Sequence, residues 1–254
     1  MGITTMVRGA VFGLALSAAP ALAATTTFAS FSPFQPVQNV RWEQVGTTGG
    51  NFYTTPTGTA NAAGPVFVNF SLLDAGSQVI KASFNFSAST TGDPAATYTI
   101  PGLPGTNFSQ NVDSGTFSFT ASNAFTSNGQ NYAAGTNLLS GSFTNATLTG
   151  RLSSGSLFDS TVSGSGIVYN SGYFRLPSVV NTISRDFSIA LTSANPGISA
   201  LPGQSLGSFR ASASGNFAIN AVPEPAAWGM MILGFAAVGY AARHRRAGVR
   251  NVTA

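Results

Sequence analysis

The sequence predicts an all-β domain over residues 24–220, arranged as a two-sheet antiparallel sandwich of the jelly-roll kind. Three observations favour this fold class: apolar residues recur at every second position, turn-forming residues separate these runs, and no stretch of the segment keeps a helical period. Each strand then has one apolar face that needs covering. About ten or more short strands can cover these faces by packing as two sheets.

The alternation is clearest in five runs, in which apolar side chains share one face of a strand. These runs are residues 66–72, 80–88, 117–121, 187–191 and 209–213. Turn signals such as Thr91-Gly92-Asp93-Pro94 and Asn128-Gly129 separate them. The segment 137–170 is rich in Ser and Gly, which fits either edge strands or a long loop. The 20 Phe residues supply enough apolar area to oppose disorder in a chain with so few charges.

Residues 1–23 have the layout of a cleavable secretory signal peptide. Arg8 gives the start a positive charge, and residues 10–19 form an apolar run that is too short to span a bilayer. Ala21 and Ala23 are the small residues that a signal peptidase accepts at the −3 and −1 positions. We therefore expect cleavage after Ala23. The alternative, a buried amphipathic helix, leaves this Ala-x-Ala sequence unexplained.

Residues 221–254 contain three blocks with different physical properties. Pro223-Glu224-Pro225 cannot continue a helix or a strand and stays extended. Residues 226–242 are uncharged, and as a helix of about 26 Å they can span most of a hydrocarbon core. The basic end, 243–254, holds its side of the helix in the cytoplasm through Arg243, Arg245 and Arg246. The two ends together predict a transient inner-membrane intermediate, with residues 24–225 outside.

The tail resembles the PEP-CTERM family of sorting signals, in the variant with Trp three residues after the second Pro. The resemblance rests on Pro223-Glu224-Pro225, Trp228, the sequence Met-Met-Ile-Leu-Gly-Phe at 230–235 and the Arg-rich end. It departs from the family pattern at Gly229, where Ala is usual. The resemblance implies a Gram-negative, exopolysaccharide-producing bacterium, in which an exosortase cuts near the Pro-Glu-Pro and passes the domain to the cell surface or matrix. The alternative, a permanent anchor, has no use for Pro-Glu-Pro or Trp228.

The composition excludes several classes of function. The formal net charge of +4 comes from arginines at the two ends, so the domain between them is nearly neutral and offers no basic surface for nucleic acid. The chain has no Cys, which excludes disulfides and thiol chemistry. Its one histidine, His244, lies in the tail, so His-based catalysis and His-ligated metals are excluded from the domain. We expect no cofactor and no metal site. Calcium binding by loop carboxylates is the alternative, although the chain has no Asp-x-Asp-x-Asp spacing.

Carboxylates remain a route to catalysis that the composition leaves open, because a glycoside hydrolase can act with a pair of them. The candidates are Glu43, Asp74, Asp93, Asp113, Asp159 and Asp186. They are scattered along the chain, and Asp93 and Asp113 occur in turn sequences where Asp forms local hydrogen bonds. We expect a protein that is not an enzyme, with a carboxylate-dependent glycan-active enzyme as the alternative.

Trp42 and Tyr53 are the candidates for stacking on sugar rings, whose apolar faces pack on aromatic side chains. The alternative is that Trp42 is a core residue of a strand. Taken with the tail, these features favour a secreted, non-enzymatic protein associated with exopolysaccharide or a biofilm matrix. A third hypothesis, an ice-binding or surface-adsorbing protein, needs flat Thr-x-Thr ladders, and Thr25-Thr26-Thr27 does not form one.

Overall fold

The computed structural model describes residues 25–35, 37–56, 62–72, 78–99, 105–161, 166–173 and 185–220. These residues all belong to one compact unit. None of the described segments forms a helix long and apolar enough to cross a membrane. The predicted signal peptide, 1–23, and the predicted sorting tail, 221–254, with its transmembrane helix at 226–242, lie outside the described residues.

Fourteen strands follow one another along the described chain. They are β1 (Thr25–Pro33), β2 (Val40–Val45), β3 (Gly49–Thr54), β4 (Val66–Leu72), β5 (Val79–Thr90), β6 (Ala96–Tyr98), β7 (Asn107–Ala121), β8 (Phe125–Ser127), β9 (Gln130–Tyr132), β10 (Asn137–Arg151), β11 (Ser154–Thr161), β12 (Ile167–Asn170), β13 (Arg185–Asn195) and β14 (Phe209–Asn220). The all-β prediction is confirmed, and the Ser- and Gly-rich segment 137–170 forms β10, β11 and β12.

The strand pairings close into a ring, and every pairing is antiparallel. The order around the ring is β1, β4, β5, β7, β10, β11, β13 and β14. It closes because β14 pairs with β1, from Thr25 opposite Asn220 to Phe31 opposite Gly215. The predicted division into two separate sheets is therefore not what the hydrogen bonds form. Closure leaves no unpaired edge at the seam, and it satisfies backbone groups that a sandwich exposes at its edges.

The remaining strands extend this ring. The β2–β3 hairpin connects β14 to β5, with β2 paired to β14 and β3 paired to β5. Strand β6 pairs with β7, and β12 pairs with β10. Strands β8 and β9 form a separate hairpin. Its turn, Asn128-Gly129, has φ of 49° and 75°, and a type I′ turn requires such left-handed angles at both positions.

The predicted alternation holds along the ring strands. In β4 the residues Val66, Val68, Phe70 and Leu72 are all buried. In β5 buried and less buried residues alternate over the whole strand. The apolar runs at 117–121, 187–191 and 209–213 also point their apolar residues inward. For these five runs, the period-two pattern therefore predicted correctly which face of the strand meets the core.

Aromatic rings fill the interior of the ring of strands. Phe84 of β5 and Phe119 of β7 stack with centroids 4.5 Å apart. Phe119 also lies 5.1 Å from Phe31 of β1 and 5.6 Å from Phe217 of β14. These contacts join β5 and β7 to β1 and β14 through the core. Eight strands enclose a space that side chains can fill, and here the buried aromatic side chains fill it.

Candidate binding surface on the outer face of the ring

Trp42 lies inside the protein. Its ring is 0% exposed and packs near Phe52, with ring centroids 6.4 Å apart. The indole Nε1 donates a hydrogen bond to the Leu206 carbonyl oxygen at 2.8 Å, which satisfies the polar atom of a buried tryptophan. Stacking on a sugar needs an exposed ring face. Trp42 has none, and the alternative of a core tryptophan is the one observed.

Tyr53 is also buried, at 6% exposure. Its hydroxyl donates to Glu43 Oε2 at 2.9 Å, and Glu43 in turn lies 3.8 Å from the guanidinium of Arg41. Burial raises the pKa of Tyr53, and the hydrogen bond and negative charge of Glu43 raise it further, while Arg41 lowers it. Tyr53 is therefore held as a neutral hydrogen-bond donor in the wall, and it does not offer the open ring face that was predicted for it.

Phe34 and Phe67 are among the aromatic rings that do face solvent. Phe34, just after β1, is 44% exposed, and Phe67 of β4 is 56% exposed. The Lys81 Nζ lies between them, 4.3 Å from the centroid of Phe34 and 4.6 Å from that of Phe67. These distances are within the range of cation–π attraction. We call Phe34, Phe67 and Lys81 the aromatic–lysine cluster.

The sequence contains a signal for this cluster in the alternation of β4. In the run 66–72, Val66 and Val68 carry the inward phase, so Phe67 stands at an outward position where a polar residue is expected. An aromatic residue in the outward phase of a strand is an exposed ring, unless another element covers it. Lys81 occupies the same phase on β5.

A polar groove of about 280 Å³ lies beside the cluster on the outer face of β4, β1, β14 and β13. Ser71, Ser30, Asn216 and Ser188 form its central row, and each is the direct cross-strand partner of the next. All four side chains belong to the outward phase of their strands. The groove therefore presents short hydroxyl and amide groups at the spacing of neighbouring strands, about 4.8 Å.

Asn69 joins the groove to the cluster. It lines the groove, and it is the cross-strand partner of Ser32 on β1 and of Lys81 on β5. It also follows Phe67 by two residues on β4, so both side chains share the outer face. The surface thus combines hydroxyls, amides, half-exposed aromatic rings and one ammonium group. These are the groups that hydrogen-bond to the hydroxyls of a sugar, pack on its apolar face and pair with an acidic substituent.

The outer face of β7 carries a second polar row, Ser114, Thr116, Ser118 and Thr120. Its partners on β5 are Ser89, Ser87, Asn85 and Ser83. This row alternates Ser with Thr, and so it differs from the Thr-x-Thr ladder that the ice-binding hypothesis needs. The outer face of β7 therefore does not carry the ladder that the ice-binding hypothesis needs, and this hypothesis stays a prediction.

Among the predicted acids, Asp93 and Asp113 come close together. The Asn111 Nδ2 donates to Asp93 Oδ2 at 3.2 Å and to Asp113 Oδ1 at 3.4 Å. Asp113 Oδ2 also accepts from the backbone N and the Oγ1 of Thr91, at 2.9 and 3.0 Å. These bonds tie the turn after β5 to β7. Asp93 lies in that turn, whereas Asp113 lies within β7 and not in the turn that was predicted for it.

The other predicted acids lie apart from this pair. Glu43 is on β2, Asp159 on β11 and Asp186 on β13. Asp74 lies outside the described residues. Across the described part of the chain, no three His, Asp or Glu residues come close enough to hold a metal ion.

Comparison with known proteins identifies the tail. Residues 221–246 match the PEP-CTERM protein-sorting motif, which confirms the resemblance predicted from Pro223-Glu224-Pro225 and Trp228. The match reaches through Arg243, Arg245 and Arg246; like Ala21 and Ala23, these residues lie outside the described part. The chain matches no curated protein and no solved structure. The motif marks the chain as an exosortase-targeted secreted protein of the cell surface.

Proposed function

We propose that this chain is a non-enzymatic protein of the cell surface or extracellular matrix, and that its β domain binds polysaccharide on the outer face of the ring. The PEP-CTERM motif at 221–246 supports the delivery. The observation that carries the binding is the position of Asn69, which joins the polar groove to the aromatic–lysine cluster in one continuous surface.

The order of delivery follows from the two ends of the chain. A signal peptidase removes residues 1–23, and the apolar segment 226–242 holds the protein in the inner membrane. An exosortase then cuts near Pro223-Glu224-Pro225 and releases the domain towards the surface. The domain thereby arrives where exopolysaccharide or biofilm matrix is the surrounding polymer.

The chemistry of the surface suits a polymer of sugars better than a charged or compact ligand. Charged residues are only 7% of the chain, so hydroxyl and amide groups provide most of its polar surface. The groove runs across four strands, and an extended sugar chain can lie along it. The exposed faces of Phe34 and Phe67 add an apolar platform at one end.

A bulky side chain in the groove tests this proposal. Asn216 lies at the centre of the row between Ser30 and Ser188, and Asn216→Trp is expected to weaken polysaccharide binding at least about tenfold by filling the groove. The matched control is Ser118→Trp, at an outward position of β7 outside the groove. Full-length protein in mild detergent is assayed by affinity electrophoresis against a panel of neutral and acidic polysaccharides. Parent protein that binds none of them, or equal binding by both variants, would contradict the proposal.

One observation favours the alternative of a carboxylate-dependent enzyme. The Asn111 amide donates to one carboxylate oxygen of Asp93 and to one of Asp113. The distance between these two oxygens therefore cannot exceed the sum of the two hydrogen-bond lengths. This is compatible with the separation of about 5–9.5 Å in catalytic carboxylate pairs. If the protein only binds, incubating the unmutated protein with the polysaccharide panel is expected to release no new reducing ends. Release of reducing ends that Asp93→Asn abolishes would replace the proposal of a binding protein with the enzyme.

A further inference from the structure

We infer that the polysaccharide bound by this surface is acidic, and that Lys81 receives the carboxylate of a uronic acid residue. This inference rests on the proposed function and names the class of polymer. It is carried by the position of Lys81, opposite Asn69 of the groove, and by the uncharged side chains that the structure describes next to it.

The described side chains next to Lys81 on its own face are uncharged. Val79 and Ser83 flank it along β5, and Asn69 lies opposite it on β4. Phe34 and Phe67 cover it from two sides. Among the described residues, no carboxylate lies within ion-pair distance of its ammonium group. The cation therefore has no protein counterion in the part of the chain that the structure describes.

The two rings attract the ammonium group but leave part of its hydrogen-bonding capacity unused. An ammonium carries three donors, whereas a ring face accepts only through its quadrupole. The rings also remove water from two sides of the cation, and this strengthens its attraction for an anion that approaches from the open side. A carboxylate supplies both a counterion and charge-assisted hydrogen bonds.

The groove gives this anion a position on a sugar chain. Asn69 is the direct cross-strand partner of Ser32 on one side and of Lys81 on the other. A sugar whose hydroxyls bond to Asn69 and Ser32 therefore brings its ring substituents beside Lys81. Its apolar ring face can rest on Phe67, which is more than half exposed. A pyranose ring with a carboxylate in place of its hydroxymethyl group matches all three contacts. A neutral sugar leaves the ammonium group unpaired.

The test compares polygalacturonate with dextran of similar length, using full-length protein in mild detergent and isothermal titration calorimetry. The unmutated protein is expected to bind polygalacturonate at least about tenfold more tightly than dextran. Added salt is expected to weaken the binding of polygalacturonate but not that of dextran. Lys81→Gln is expected to lose this preference, and Lys81→Arg to keep it, because a guanidinium also stacks on aromatic rings and pairs with carboxylates. Arg151→Gln, a cation at the end of β10, is the control and is expected to keep the preference.

Two results would overturn the inference in different ways. Equal affinity for both polymers, unchanged in Lys81→Gln, leaves the proposed function intact and shows that the surface does not select acidic sugars. Failure of the parent to bind any polysaccharide removes the proposed function itself. Thermal unfolding of Lys81→Gln checks its fold, and Phe67→Leu, which weakens the platform but keeps the charge, is expected to lower affinity for both polymers and to retain the preference.

Discussion

Gly115 of β7 and Phe143 of β10 are direct cross-strand partners, and one aromatic ring fills the space that both positions face. The Phe143 Cζ lies 2.3 Å from the point where a Cβ on residue 115 would stand, and the Ala88 Cβ lies 2.7 Å from that point. Gly215 and its partner Phe31 on β1 have the same relation, with the Phe31 Cε1 2.6 Å from the corresponding point. The missing side chain on one strand makes room for the ring on the other.

A methyl group at residue 115 therefore has no room unless Phe143 or Ala88 moves. We expect Gly115→Ala to lower the free energy of unfolding by about 1–3 kcal/mol, which is the usual cost of overpacking a core. The control is Gly92→Ala, where a new Cβ meets nothing within 4 Å and a change of less than about 0.5 kcal/mol is expected. Urea denaturation measures both variants. Equal unfolding midpoints would show that the interior can accept the methyl group.

Trp42→Phe is expected to destabilise the protein through its lost hydrogen bond. The change removes the indole donor and leaves the Leu206 carbonyl oxygen buried without that partner, at a cost of about 1–3 kcal/mol. Phe67→Leu is the matched control for loss of aromatic volume, because Phe67 is exposed and a change within about 0.5 kcal/mol is expected. Thermal unfolding of the two variants gives the comparison. If Phe67→Leu lowers the stability as much as Trp42→Phe does, this assignment of Trp42 to the core and Phe67 to the surface is contradicted.

The raised pKa of Tyr53 predicts how stability changes in alkali. The folded phenol keeps its proton to higher pH than the unfolded phenol, whose pKa is 10.0. The stability that this difference contributes is complete below pH 10 and is lost as the pH rises from there through the folded pKa. The free energy of unfolding of Tyr53→Phe is therefore expected to fall less steeply than that of the unmutated protein as the pH rises through that window. Denaturation at a series of pH values measures this.

Glu43→Gln separates the causes of this shift. Burial is the largest cause and remains, whereas the negative charge is removed, so the pKa of Tyr53 is expected to fall but to stay above 10.0. Ultraviolet absorbance titration measures the phenol, with Tyr53→Phe as the blank for the other tyrosines. An unchanged titration in Glu43→Gln would show that the carboxylate does not act on Tyr53.

Processing of the tail predicts the mass of the mature protein. In cells that contain the exosortase, the protein is expected to begin at Ala24 and to end near Pro225. Replacing both Pro223 and Pro225 with Ala is expected to leave the tail attached, while Pro202→Ala, in a loop of the domain, is expected to be processed normally. Intact mass spectrometry of cell fractions decides. A tail that stays attached regardless of the protease would identify a permanent membrane anchor.

The aromatic residues show which side-chain positions the sequence pattern can predict and which it cannot. Trp42 and Tyr53 were predicted as candidates for stacking on sugars, yet both are buried, while Phe67 is exposed although it lies in an apolar run. The alternation assigns Phe67 to the outer face, since Val66 and Val68 point inward. Whether an outward ring stays uncovered depends on the neighbouring strands, and for Phe67 these carry Lys81 and Phe34.

Features that depend on local order could be predicted from the sequence: the tail matched at 221–246, the inward phase of the five alternating runs and turns such as Asn128-Gly129. The tertiary structure alone decided the closure of β14 on β1, the fit of Phe143 over Gly115 and the meeting of Lys81 with Phe34. The physical reason is that a period of two residues fixes which face a side chain occupies but not which strand lies beside it. Partners distant in sequence are selected by the packing of the whole ring, because each register must suit the neighbours on both sides.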